Sequence, residues 1–197
     1  MLGLSSDGYL ALAIGYALGS IPFGLILTHF GGAGNLRAIG SGNIGATNVL
    51  RTGRKGLAAA TLLLDMAKGA AAVLIARHIS PELALIGGIG AFIGHCYPIW
   101  LKFSGGKGVA TLLGIALAFD LRVGGIVALA WLAGLAVTRM SSIGGIAAAI
   151  AAPVAAYGLT DDRSALMLGG LALIVIWKHQ ENIKRIFAGT EPKVGAK

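Results

Sequence analysis

The amino-acid sequence predicts an all-α, polytopic integral membrane protein, and three observations carry the prediction. Of its 197 residues, 56% are hydrophobic and only 12% are charged, where a soluble domain carries about 25% charged residues; mean hydropathy is +0.81. Apolar runs recur along the whole chain, separated by short polar segments, and a bilayer core takes about 20 residues of helix, with a range of about 17–25. The 32 glycines follow no collagen period and suit helices whose backbones approach closely inside a membrane.

The runs fall at 9–28, 57–76, 83–101, 109–119, 123–137, 143–159 and 165–177, which predicts seven spans in one transmembrane domain over residues 1–197. The second span must accommodate Asp65 and Lys68. The fourth is short, so 109–137 reads either as two spans or as a re-entrant hairpin turning at Asp120. Ahead of the first run stands Asp7 with no Lys or Arg, the wrong flank for a secretory signal, so that run is expected to be retained. Cys96, the single cysteine, leaves no internal disulfide framework.

Net charge is +8. In a soluble chain this would raise the question of nucleic acid. Here the cations lie in short loops, and their distribution predicts orientation. With seven spans, one side receives twelve cations: Arg37, Arg51, Arg54, Lys55, Lys102, Lys107, Arg139, Lys178, Lys184, Arg185, Lys193 and Lys197. The other side receives Arg77, Arg122 and Arg163. Positively charged loops stay cytoplasmic, so the N-terminus is expected outside and the C-terminus in the cytoplasm. Every glycine-rich polar loop then faces the cytoplasm.

Those loops read as anion sites. The segment 40–51, GSGNIGATNVLR, brings Ser41, Gly42, Asn43, Gly45, Thr47 and Asn48 together and ends in Arg51. Its opening matches a dinucleotide-binding fingerprint, and Asp65 lies twenty residues beyond Gly45, but no strand precedes it and no βαβ unit fits between two spans. What survives is the physics. Glycines let backbone N–H groups close around a phosphate, and a following helix N-terminus favours negative charge. A second nest, SGGKG, supplies Gly105, Gly106, Lys107 and Gly108 after the interfacial aromatics Tyr97, Trp100 and Phe103; it lacks the first glycine and the Ser/Thr of a Walker loop.

Asp65 and Lys68, at i and i+3 inside an apolar span, share a helical face, and an ionisable pair in a membrane is costly enough to imply a role, structural or functional. Arg139, Ser141 and Ser142 precede the sixth run, where hydroxyls cap a helix or bind an anion. His179, Glu181 and Asn182 follow the last run. No zinc-ligand pattern and no nucleophile elbow is present. An enzyme here works without a conventional nucleophile or metal.

Five motifs together resemble one family, the bacterial acyl-phosphate-dependent glycerol-3-phosphate acyltransferases known as PlsY. They are GSIPFG at 19–24, GSGNIGATNVLR at 40–51, LDMAKG at 64–69, GHCYPIWLKFSGGKGVAT at 94–111 and HQENIKR at 179–185. They stand in the family's order, and length and span count match end to end; the loop holding Ser142 is the poorest match. The resemblance implies an enzyme of the bacterial inner membrane, its active site facing the cytoplasm. It would transfer an acyl group from acyl phosphate to the 1-hydroxyl of glycerol 3-phosphate, giving lysophosphatidic acid and phosphate as the first step of phospholipid synthesis. It implies no cofactor and no metal. Beyond the two substrates and membrane lipids, the one implied partner is the soluble enzyme that makes acyl phosphate; no nucleic acid is implied.

On this reading Arg51, Lys107, Ser41, Asn43, Asn48 and His179 hold phosphates, helped by the glycines of both nests and Thr47. Asn182 and Ser142 orient the attacking hydroxyl or the carbonyl, and Asp65, Lys68, His95 and Glu181 support them. The acyl group would transfer directly, the proton passing to His179 or to a substrate phosphate. An acyl-enzyme on Cys96 is the covalent alternative. A small transporter of phosphate or an organophosphate is the competing class, although carriers place their sites at the midplane between internal repeats, and none is visible.

Overall fold

The computed structural model describes residues 4–195; Lys197, one of the cations counted above, lies outside them. Among the described residues all regular structure is helical. The chain divides into two compact units, Met1–Phe119 and Asp120–Lys197.

The first unit contains α1 (Ser6–Gly19), α2 (Phe23–Phe30), α3 (Ala46–Leu50), α4 (Lys55–Ile79), α5 (Ala84–Cys96) and α6 (Val109–Phe119), with 3-10 turns at Leu36–Ala38, Pro81–Leu83 and Ile99–Leu101. Ser5 caps α1 by accepting from the Gly8 N–H at 3.1 Å, and Asp7 complements the positive end. The apolar run expected at 9–28 is broken at Pro22, which has no N–H to continue the helix. Two carbonyls exposed by the break find side-chain donors. Trp100 Nε1 donates to Ser20 O at 2.9 Å, and Lys68 Nζ donates to Ile21 O at 2.8 Å. In hydrocarbon an unbonded carbonyl costs several kcal/mol, so the break and its two distant donors belong together.

α1 lies against α5 at glycine contacts: a Cβ on Gly15 would overlap the Gly87 carbonyl, and one on Gly90 would overlap that of Leu12. α4 and α6 meet in the same way, with Gly114 on the Met66 carbonyl. Small residues let such helices come together where lipid offers no hydrophobic drive. Arg77 Nη2 closes the C-terminal end of α6 by donating to Phe119 O at 2.6 Å.

The second unit contains α7 (Leu121–Thr138), α8 (Ser141–Leu159), α9 (Asp162–Lys178) and α10 (Gln180–Phe187). α7 packs on α8 and α8 on α9, with Gly134 against Gly144 near the α7–α8 corner. Arg139 makes that corner in the left-handed region, φ 61°. Five of the expected runs each lie within one helix, while 9–28 is divided between α1 and α2 and 83–101 between α5 and the 3-10 turns at its ends. Five segments are long and apolar enough to cross a bilayer: Ser6–Phe30, Lys55–Ile79, Pro81–Leu101, Leu121–Thr138 and Ser141–Leu159. α6 and α9 are shorter, at 11 and 17 residues.

Asp120 begins the second unit as the N-cap of α7. Hydrogen bonds from the Arg122 side chain, and then from the backbone N–H groups of Arg122 and Val123, hold its carboxyl well down, at about 2. An Asp120→Ala variant is expected to lose about 1 kcal/mol of stability at neutral pH. The native pKa lies below the unfolded value of about 3.9, so the charge-dependent part of this difference is present above pH about 4. It disappears as the pH falls through about 2. Unfolding in detergent across that window measures it; a difference independent of pH would leave the cap without an electrostatic component.

Candidate active site

The two nests of the first unit are neighbours. Arg37 Nη2, from the turn before segment 40–51, donates to Ser104 O at 2.7 Å. Leu101 packs on the small apolar cluster of Leu36, Ile44, Val49 and Ala58 that underlies that segment. One contact is polar and one apolar, and together they set loop 102–108 beside loop 40–51.

Within the first nest, Asn48 organises the loop. It is 2% exposed. Its Nδ2 donates to Leu36 O at 3.0 Å and Ile39 O at 2.9 Å, and its Oδ1 accepts from Ser41 N at 3.2 Å and Arg51 Nη1 at 3.3 Å. The phosphate-binding role expected of Asn48 therefore becomes indirect: its polar atoms are occupied in shaping the chain. Gly40 and Gly42 take positive φ, 54° and 68°. At Gly40 an added Cβ would stand 2.7 Å from the Arg51 guanidinium, which folds back over it. Asn43 Oδ1 accepts from Ile44 N at 3.0 Å. Ser41, Thr47 and Arg51 are exposed and Gly45 half-buried. The following helix, α3, has only five residues, so its dipole is small and the burden of attracting an anion falls on side chains.

The second nest is closed at its base. Gly105 N donates to Cys96 O at 3.1 Å and Gly106 N to His95 O at 3.0 Å, tying the middle of the loop to the last turn of α5. Tyr16 braces it from α1, its hydroxyl donating to Tyr97 O and accepting from Ile99 N, both at 3.0 Å. Gly106 has no room for a Cβ, which would fall on His95 Nε2, and Gly108 at φ 86° lies on the Phe92 ring. Lys107, half-buried, is presented between these two fixed glycines, and α6 begins directly after them.

Asp65, Lys68 and His95, expected in a supporting role, lie within contact of one another. Lys68 Nζ is 2.7 Å from Asp65 Oδ1, and His95 Nδ1 is 3.6 Å from the same oxygen, all nearly inaccessible. Lys68 also stands 5.7 Å from the centre of the Phe23 ring. The cluster therefore connects the Pro22 break to His95, and through His95 to Gly106. Thr111 was not anticipated; its hydroxyl is fully buried in the first turn of α6 and makes no hydrogen bond. Cys96 is completely buried, a poor position for a nucleophile that must meet a lipid substrate.

In the second unit His179 lies between α9 and α10, 3% exposed, with Nδ1 2.8 Å from Val175 O. A carbonyl only accepts, so Nδ1 carries a proton in this contact. Asn182, one turn on, donates from Nδ2 to Glu191 Oε1 at 2.6 Å, while Arg185 Nε donates to Glu191 Oε2 at 2.8 Å. Burial by itself raises the Glu191 carboxyl; hydrogen bonds from Asn182, Ser142 and Arg185 outweigh that and hold it below the usual value. The Ser142 hydroxyl lies close enough to add to this effect without a well-formed hydrogen bond of its own.

The buried carboxylate beside Asn182 is thus Glu191. Glu181, expected in that supporting capacity, is exposed and pairs with Lys184 at 2.8 Å, because its position on α10 turns outward. The available signal for Glu191 was slight: it is the only acidic residue after Glu181, followed by Pro192.

A family model described as glycerol-3-phosphate acyltransferase matches residues 9–189. A glycerol-3-phosphate acyltransferase of Mesorhizobium japonicum is 56% identical over 188 residues, covering 95% of this chain and 96% of that protein. One of Brucella canis is 52% identical, covering 95% and 93%. Among solved structures, the integral membrane glycerol 3-phosphate acyltransferase PlsY in its glycerol 3-phosphate form superposes with a TM-score of 0.91, at 33% identity over 96% of both chains. Its lysophosphatidic acid form gives 0.86, at 31% identity over 95% of both. With its apolar helices and this match, the chain is an all-α integral membrane protein, and by sequence and by fold it belongs to the glycerol-3-phosphate acyltransferase family.

Proposed function

We propose that this protein transfers an acyl group from acyl phosphate directly to the 1-hydroxyl of glycerol 3-phosphate, releasing inorganic phosphate and lysophosphatidic acid. The observation that carries the reading is the adjacency of two rigid, cation-bearing nests, 40–51 and 102–108. Both substrates of such a reaction carry a phosphate. The donor is already activated, so positioning and charge stabilisation suffice.

In the step, the hydroxyl oxygen attacks the acyl carbon, the bond from that carbon to the phosphate oxygen breaks, and phosphate leaves with the electron pair. Arg51 and Lys107, with Ser41, Asn43, Thr47 and the glycines Gly42, Gly45, Gly105, Gly106 and Gly108, hold the phosphates; Asn48 shapes the first nest. Asn182 and Ser142 orient the hydroxyl. The proton passes to His179 or to a substrate phosphate oxygen. The charge asymmetry of the loops supports seven spans with the N-terminus outside and the site on the cytoplasmic side of a bacterial inner membrane, accessible to a soluble enzyme that makes acyl phosphate.

The decisive experiment supplies purified protein with glycerol 3-phosphate and either acyl phosphate or acyl-CoA. Lysophosphatidic acid is expected with acyl phosphate alone, with one phosphate released per acyl group transferred. Equal turnover with acyl-CoA overturns the donor assignment, and labelled acyl chain retained on the protein overturns direct transfer.

A further inference from the structure

We infer that Arg37 is a positioning residue of the transfer reaction, a clasp that fixes the second nest in register with the first. The inference rests on the reading that both nests hold substrate phosphates, and goes beyond it. Arg37 lies in none of the five motifs.

Three observations carry it. The turn that bears Arg37 is held by the first nest. Asn48 Nδ2 reaches the Leu36 and Ile39 carbonyls on either side of it, and a Cβ on Gly42 would stand 3.1 Å from the Arg37 carbonyl. Asn35 Oδ1 closes the start of the same turn by accepting from Arg37 N at 3.0 Å. From this base Arg37 Nη2 crosses to the second nest and donates to Ser104 O at 2.7 Å. The peptide unit that receives it is gripped at its other edge too, because its N–H is that of Gly105, which donates to Cys96 O at 3.1 Å.

The consequence follows from the geometry of one peptide. Its carbonyl and N–H are coplanar and point opposite ways, so a bond at each edge sets the tilt of the plane. With only the Cys96 bond the plane can tilt, because Gly105, lacking a Cβ, permits rotation that other residues resist. Gly106 and Lys107 follow directly, so that tilt decides where the Lys107 ammonium stands relative to Arg51. Transfer between two bound substrates depends on such spacing. Folding depends on the clasp far less. An exposed hydrogen bond exchanges for one with water at little net cost, and Leu101 still packs on the cluster of Leu36, Ile44, Val49 and Ala58 without it.

The test is made on the full chain with acyl phosphate and glycerol 3-phosphate. Arg37→Ala is expected to lower kcat by about 10–10²-fold, the loss that a misplacement of about 1 Å produces. KM for both substrates changes little, because each nest stays intact. Arg37→Lys, which keeps one donor for Ser104 O, recovers most of the loss. In a Lys107→Met background Arg37→Ala costs little further, because the clasp acts through Lys107. Full turnover by Arg37→Ala overturns the inference, as do losses that multiply in the double variant or a fall in kcat that only mirrors a fall in folded protein. A raised KM for one substrate at unchanged kcat also overturns it, by making Arg37 a phosphate ligand. Parent-level turnover by Lys107→Met instead removes the underlying reading of the second nest, so the two failures are distinguishable.

Discussion

Replacing Lys107 with Met is expected to lower kcat/KM by about 10²–10³-fold, the loss seen when one preorganised donor is taken from a developing oxyanion. As acyl phosphate breaks down, negative charge accumulates on the departing phosphate, and an ammonium in a half-buried loop is worth more than the same charge in water. The loop itself should survive the change. Its position depends on the backbone bonds from Gly105 and Gly106 to Cys96 and His95, on Tyr16, and on the Arg37–Ser104 contact. None of these uses the Lys107 ammonium, and Met keeps an unbranched apolar stem of similar length. Initial rates with each substrate varied in turn check the prediction, and the substrate whose kcat/KM falls more identifies the phosphate that Lys107 holds. Parent-level rates for Lys107→Met would remove it from the phosphate site.

The helices and the polar loops were legible in the sequence because each has a local cause. Apolar length marks a helix in a bilayer, and glycine beside serine, asparagine and a cation marks a backbone that can surround an anion. What was not legible depends on partners far apart in the chain. Pro22 announces a break, yet only the fold reveals that Lys68 and Trp100 supply its missing donors. Asn48 reads as a phosphate ligand by type, and its four hydrogen bonds reassign it to the loop's own architecture. Glu181 and Glu191 differ in the opposite way. The nearer carboxylate is carried outward by helical phase, while the more distant one returns through a turn that no periodicity encodes. Adjacency of the two nests required Arg37, which lies in none of the motifs, and Leu101, an apolar residue whose type signals no chemistry.

The buried ion pair yields the second large effect. Asp65→Ala strips the carboxylate from Lys68 and is expected to cost about 3–5 kcal/mol, because an uncompensated ammonium remains in the interior. The Ile21 carbonyl and the Phe23 ring still face Lys68, which places the loss toward the lower end of that range. Asp65→Leu/Lys68→Met separates fold from function. Removing both charges together is often close to neutral for stability, although the Ile21 carbonyl then keeps only the Phe23 N–H, so recovery is expected to be incomplete. Activity should not recover with it. His95 loses the carboxylate beside its Nδ1, and His95 is the side chain against which Gly106 is packed, one residue before Lys107. Thermal unfolding in detergent and transfer rates on the same preparations measure the two effects. A double variant that is both stable and fully active would confine Asp65 and Lys68 to holding the helices. One that is stable and slow would mean that charge at Asp65, transmitted through an imidazole and a glycine without a Cβ, holds Lys107 in place.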